Sequence, residues 1–203
     1  YASAAGFGHI EIWDDDFVDI TNLNRQIAHD NNQIGIDKAN SLAAACSRLN
    51  PNILIIPKVK KLDSSSSIKD FDLIFDCSDN PETKYILNLL SHNYNKILIS
   101  GSAVQMEGQL SIWKSGVDKI YPCYECVFPK TIDKAPTTNC RDAGIIGSIT
   151  GLIASMQVTE GIKEIALKKY SSTAGYLFLY DGINQSLDKI KLIKNIDCPV
   201  CKN

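Results

Sequence analysis

The sequence predicts an α/β fold: a doubly wound, Rossmann-like mixed sheet with a structural four-cysteine zinc site. Three observations carry this prediction. Short apolar, β-branched runs alternate with helical apolar stripes through the first half of the chain, the pattern of parallel strands joined by crossover helices. After Gly101 the pattern becomes alternation of single apolar and polar residues, which marks a half-buried antiparallel strand and so a mixed sheet. Four of the seven cysteines form two Cys-x-x-Cys pairs, Cys123/Cys126 and Cys198/Cys201. Two intervening residues let both thiolates of a pair turn onto one ion at about 2.3 Å, and two such pairs complete a tetrahedral shell suited to zinc.

In chain order, residues 1–8 read as the last turns of a helix ending at a glycine. A strand follows at 10–14. Ala39, Leu42, Ala43, Cys46 and Leu49 form a helical stripe that stops before Pro51, which makes Cys46 a core residue. Strands are expected at 53–56, 72–76 and 97–100, with a helix over 81–94 between the last two. Val104, Met106, Leu110 and Ile112 then alternate with Gln105, Glu107, Gln109 and Ser111 as one further strand. Residues 128–139 read as a long exposed loop ending at Cys140. A helix over 144–167 would carry Ile145, Ile149, Leu152, Ile153 and Met156 on one face, placing Cys140 just before its N-terminus. Strands at 176–180 and 190–193 lead into the last cysteine pair. No internal repeat or domain boundary is visible, so 1–203 is expected to be a single domain.

Composition excludes two classes of function. A net charge of −2 with no basic stripe leaves no footprint for nucleic acid, whose affinity comes mainly from clustered cations. The longest apolar stretch, 145–167, is broken by Thr150, Gln157, Glu160 and Lys163, so no membrane span is expected. A cytoplasmic protein is expected, or an organellar stromal one if the gene is organellar. Two disulfides are the alternative to zinc, but no signal-peptide pattern opens the sequence and the other cysteines lie in apolar runs.

Polar clusters fall where a doubly wound sheet binds ligands, beyond the carboxyl ends of its strands. Asp14, Asp15 and Asp16 follow the first strand, with Asp14 spaced to reach a ribose hydroxyl; a solvated turn is the bland alternative. Thr21, Asn22, Arg25 and Gln26 form an irregular polar stretch suited to clamping phosphate, and Lys38 adds a second cation at a helix start. Asp79, Asn80 and Pro81 follow the third strand, Asn80 as a helix cap and Pro81 at the first helical position, which is also all that a plain helix start requires. Together these residues suit magnesium and a triphosphate. Cys77, after a buried strand, reads as structural, and His9, His29 and His92 show no ligand spacing.

The order of these segments carries a family resemblance. Asp14-x-Asp16, the run from Thr21 to Gln26, Lys38, Cys77 to Asn80, Gly108-Gln109, Pro122 to Cys126, Cys140 with Ala143 to Gly147, and Cys198-x-x-Cys201 together resemble the HesA/MoeB/ThiF family across the whole chain. The Gln157 to Lys163 helix is similar to the MoeB branch and its molybdopterin-synthase sulfurylase relatives. The resemblance implies an adenylyltransferase that activates the C-terminal glycine of a ubiquitin-like β-grasp sulfur carrier with ATP, releasing pyrophosphate before sulfur transfer. Carried over by position, Asp14 holds the ribose, Arg25 and Lys38 the phosphates, and Asp79 the magnesium ion, while Asn80 lines the pocket. The family's arginine in the Arg25 position can reach a partner subunit, which implies a homodimer. A sulfur-donor enzyme is a further expected partner.

Cys140 matches a loop cysteine that takes up the acyl group in some members; a spare exposed thiol is the alternative, since no histidine lies near it in sequence. The family's glycine-rich phosphate turn and an upstream arginine are missing from these residues, so weak ATP binding or none is expected of this piece. A following sulfurtransferase domain cannot be judged from the sequence. Two other classes stay open: a catalytically silent partner that docks a ubiquitin-like protein, and a nicotinamide-dependent oxidoreductase. The carrier is left open between molybdopterin synthase, thiamine and tRNA-thiolation types.

Overall fold

In the computed structural model, which describes residues 1–130, 144–167 and 173–202, the backbone contacts divide the chain into two units, Tyr1–Asp63 and Ser64–Asn203. In the first unit, strand β1 (His9–Trp13) pairs in parallel with β2 (Leu54–Lys58), His9 opposite Leu54 and Trp13 opposite Lys58. Helix α1 (Lys38–Leu49) joins them through its buried Ala39, Ser41 and Ala43. The expected N-terminal turn is present, with Ala5 N–H donating to Tyr1 O at 2.9 Å and Gly6 in the left-handed region at φ +85°. Between β1 and α1 the chain is irregular, held by single helical turns at Ile20–Asn22 and Asn31–Gln33, each capped by an aspartate side chain. Cys46 is half-buried rather than core, and desolvation pushes its thiol pKa up.

The second unit is built on a five-stranded mixed sheet, in the order β3 (Leu73–Asp76), β4 (Ile97–Val104), β5 (Glu107–Trp113), β6 (Tyr176–Asp181) and β7 (Ser186–Lys191). Only β3 and β4 are parallel, and helix α2 (Pro81–Asn93) makes the crossover between them. A short helix α3 (Tyr124–Val127) carries the first cysteine pair, and α4 (Gly147–Ala166) packs on β4 and β5. Ile99, Leu110 and Ile112 are at most 2% exposed and form the centre of the core, joined by Phe75, Met156 and Phe178.

The structure corrects four local expectations. Val104 and Met106 do not begin a new strand: β4 runs to Val104 and a tight hairpin at Gln105 and Met106 returns as β5, with Val104 opposite Glu107. Gln105 adopts φ 51°, a left-handed turn conformation without the Asn-Gly or Asp-Gly that announces one, so alternation ran unbroken through the turn. The long helix begins at Gly147 rather than 144, because residue 145 is engaged in a bridge with Gln105. Leu152, expected on its buried face, is 36% exposed, whereas Gln157, Glu160 and Glu164 are buried. The last strand is Ser186–Lys191, not 190–193, and Ile193 is 81% exposed. Among the described residues, no helix is long and apolar enough to cross a membrane.

Candidate functional site

In the first unit the polar groups gather where β1 ends. Asp14 continues the strand by donating its N–H to Lys58 O at 3.2 Å, and its Oδ1 accepts from Asp16 N–H at 2.9 Å. Burial raises the Asp14 carboxyl above its ordinary range, against that hydrogen bond and the nearby Lys38 charge. Asp16 holds Lys38 from two sides: its carbonyl accepts the Lys38 N–H at 2.9 Å, and its Oδ2 lies 2.8 Å from Nζ. Lys38 is therefore an oriented cation on the first turn of α1, with a side chain only 11% exposed.

Arg25 is folded onto its own loop, Nη1 donating to Thr21 O at 2.9 Å and to Asn24 Oδ1 at 3.0 Å. Thr21 donates through N and Oγ1 to Asp19 Oδ1, at 2.8 and 2.6 Å, which shapes the turn containing Asn22. Gln26 Oε1 is buried with no hydrogen-bond partner among the described residues. His29 Nδ1 lies 2.7 Å from Ser41 Oγ.

In the second unit the corresponding place is the exit of β3. Asp79 is exposed, and Asn80 caps α2 by accepting the Thr83 N–H at 2.8 Å, with Pro81 at the first helical position. The sequence reading missed the pair beneath them. Asp76, 1% exposed, accepts from Lys84 Nζ at 3.0 Å and from Ser78 N and Oγ at 3.0 and 2.6 Å. The available signal was a strand-end aspartate followed, one turn into the next helix, by a lysine. A buried pair of this kind is costly to split, since removing one partner strands the other charge. Lys84→Met is expected to lower stability by about 3–5 kcal/mol, read as a shift in the urea midpoint, whereas Asp76→Asn with Lys84→Met together should lose less than Lys84→Met alone.

Cys77, expected to be structural, has an exposed residue surface, yet its thiol donates to Gln157 Oε1 at 3.8 Å and desolvation pushes its pKa up to about 11. Beside Lys84 a recess opens between Ser100, Ser102, Gln109, Trp113 and Tyr124. The Oγ atoms of Ser100 and Ser111 and Nε1 of Trp113 are buried there without hydrogen-bond partners among the described residues. Cys140 lies outside the described residues.

The four cysteines expected to bind metal do come together. Their sulfurs lie within 4.8 Å of one another, with Cys123 and Cys198 3.5 Å apart and Cys126 and Cys201 3.3 Å apart. A tetrahedral shell at ~2.3 Å per bond sets sulfurs ~3.8 Å apart, and a disulfide requires ~2.05 Å. All four are free thiols in this structure, and their spacing could accommodate a single ion. Hydrogen bonding from the Cys123 thiol lowers the Cys126 pKa and correspondingly raises that of Cys123. Buried Asn88 on α2 donates to Cys123 Sγ at 3.7 Å and accepts from Tyr124 N at 2.9 Å, tying the cluster to the helix that Asn80 starts.

Comparison with known proteins agrees with the fold. The ThiF family model matches residues 1–200. "Adenylyltransferase and sulfurtransferase MOCS3" of Culex quinquefasciatus is 38% identical over 209 residues, covering 100% of this chain and 46% of that protein. "Adenylyltransferase and sulfurtransferase UBA4" of Debaryomyces hansenii is 36% identical over 209 residues, covering 100% and 46%. The chain thus spans about half the length of these curated relatives. Among solved structures, E. coli MccB with AMPCPP and MccA superposes with a TM-score of 0.82 at 20% identity, over 98% of this chain and 61% of MccB. MccB with ATP gives 0.80 at 17%, over 98% and 60%; at these identities the likeness concerns the Rossmann-like fold. Matched over residues 1–200 by the family model and over its whole length by relatives 36–38% identical, the chain belongs to the ThiF family.

Proposed function

We propose that the protein activates the C-terminal glycine of a ubiquitin-like sulfur carrier by adenylation, as the first step of sulfur transfer. The observation that carries this reading is the placement of Asp14 after β1 and of Asp79 and Asn80 after β3, at carboxyl ends of parallel strands in a chain of this family. Residues 1–203 are read as one adenylyltransferase domain. Asp14 takes the ribose, Arg25 and Lys38 the phosphates, and Asp79 a magnesium ion, with Thr21, Asn22, Gln26 and Asn80 shaping the site. Arg25 and Lys38 must leave their present partners to do so, and those partners, Thr21, Asn24 and Asp16, are all exposed and replaceable by water. Phosphoryl chemistry of this kind asks for positioning and for cations where charge accumulates rather than for covalent work by the protein.

The four thiols hold a structural zinc ion, whose chemistry is confined to stapling the fold. The recess beside Lys84 receives the extended carrier tail, whose peptide groups supply partners for Ser100, Ser111 and Trp113. A homodimer is supported by Phe17, Ile20 and Ile27, which are 60%, 66% and 75% exposed in the irregular segment carrying Arg25. A molybdopterin-synthase small subunit is the carrier proposed, on the resemblance of the Gln157 to Lys163 helix to the MoeB branch.

Carrier-dependent ATP–pyrophosphate exchange by the full-length protein tests the reading. Exchange that requires the carrier is the expected result. Carrier binding without exchange would establish a silent docking partner, and NAD binding an oxidoreductase. Running the assay with molybdopterin-synthase, thiamine and tRNA-thiolation carriers identifies the substrate.

A further inference from the structure

We propose that Gln157, buried on α4, is a positioning residue for the loop that leaves β3, holding Asp79 and Asn80 in place from behind; this rests on the reading of that loop as part of an ATP site. Its Nε2 donates to two backbone carbonyls at once, Asp76 O at 2.9 Å and Ile99 O at 3.0 Å. Those carbonyls belong to β3 and β4, and Asp76 opposite Ser100 is the last pair of their ladder. Gln157 therefore joins the two strands where their own hydrogen bonding stops and the loop begins. Its Oε1 accepts from the Cys77 thiol at 3.8 Å, so all three polar positions of a side chain only 4% exposed are engaged.

Space for this amide is made by a glycine. A Cβ added at Gly101 would lie 2.5 Å from both Cδ and Oε1 of Gln157, so any larger residue there would displace the side chain. Asp76 is in turn the anchor of the loop. Its carboxylate holds Ser78 and Lys84, its carbonyl is held by Gln157, and three residues on stands Asp79, followed by the Asn80 cap on Thr83 N–H. An apolar residue on this helix face would pack as well but would remove the one side chain that donates to both the Asp76 and the Ile99 carbonyl.

The test compares Gln157→Met, which keeps volume and removes both donors, with Gln157→Glu, in the full-length protein. Two readouts are taken: steady-state pyrophosphate exchange, and amide hydrogen exchange by mass spectrometry. Gln157→Met is expected to raise the KM for magnesium-ATP by about tenfold, the usual size for lost support behind a ligand, with the carrier KM within about twofold. Amides of residues 77–83 should exchange faster while those of 107–113 in β5 keep their protection. Gln157→Glu should be worse than Gln157→Met at pH 8, because a carboxylate would face two carbonyls, and should recover toward pH 6 as a protonated carboxyl regains one donor. The facing groups are Asp76, Lys84 and Cys77, and the Cys77 thiol, pushed up to about 11, stays protonated across that range.

Unchanged amide exchange over 77–83 in Gln157→Met overturns the inference, whatever the activity. Faster amide exchange with an unchanged KM for ATP overturns it too, since Gln157 would then only support the fold. Failure of the unsubstituted protein to exchange pyrophosphate defeats the ATP-site reading instead, and the hydrogen-exchange arm still decides whether Gln157 holds the loop.

Discussion

Asp79→Ala is expected to reduce carrier-dependent pyrophosphate exchange by at least about 10²–10³-fold, the scale of losing one preorganised charge-stabilising group, while leaving the fold intact. The residue is exposed at the exit of β3, so its removal strands no buried partner, and Asn80 still caps α2. In the proposed reaction a glycine carboxylate oxygen forms a bond to the α-phosphorus and the bond to the bridging oxygen breaks, releasing pyrophosphate. Negative charge builds on both sides of that phosphorus, and a magnesium-holding carboxylate acts on it directly. Cys140→Ala is the control. No thiol takes part in the carboxylate's attack, so exchange should stay within about twofold of the parent, and any defect should appear in a later acyl or sulfur hand-off. Loss of exchange in Cys140→Ala with normal folding and metal content would reverse these two roles, and full activity in Asp79→Ala would move the nucleotide site elsewhere.

Cys198→Ser is the substitution expected to cost most stability. Structural zinc in zinc-finger peptides binds with about 10–16 kcal/mol of apparent free energy, and that energy is folding energy. A whole domain is stable by only about 5–15 kcal/mol. Here the ion would close a loop between cysteines 75 positions apart, joining the α3 turn to the C-terminal turn around Cys198 and Cys201. Losing about 5 kcal/mol in a chain of this size lowers the melting temperature by on the order of 10–20 °C. The protein purified without chelators should hold one zinc ion per chain, and Cys198→Ser should hold none. Because Asn88 links Cys123 to α2, the substitution should also loosen the start of that helix, seen as faster amide exchange near Thr83. Metal analysis finding no zinc in the parent protein would remove the claim.

The sequence by itself determined the α/β class, because hydrophobic period and strand length are local properties written in a few successive residues. It also determined both cysteine pairs, since a two-residue spacing is enough to turn two thiolates onto one ion. The strand-end positions of Asp14, Asp79 and Asn80 follow from that same local reading. What only the tertiary structure decided are contacts whose partners lie far apart in the chain. The hairpin at Gln105 carries no turn signal and is imposed by pairing of β4 with β5. The polar inner face of α4 contradicts its apolar periodicity, because Gln157 meets Asp76 and Glu164 meets Lys114 across 81 and 50 positions. Burial of such groups is unfavourable until the partner arrives, and a linear pattern records the polar residue without recording what will satisfy it.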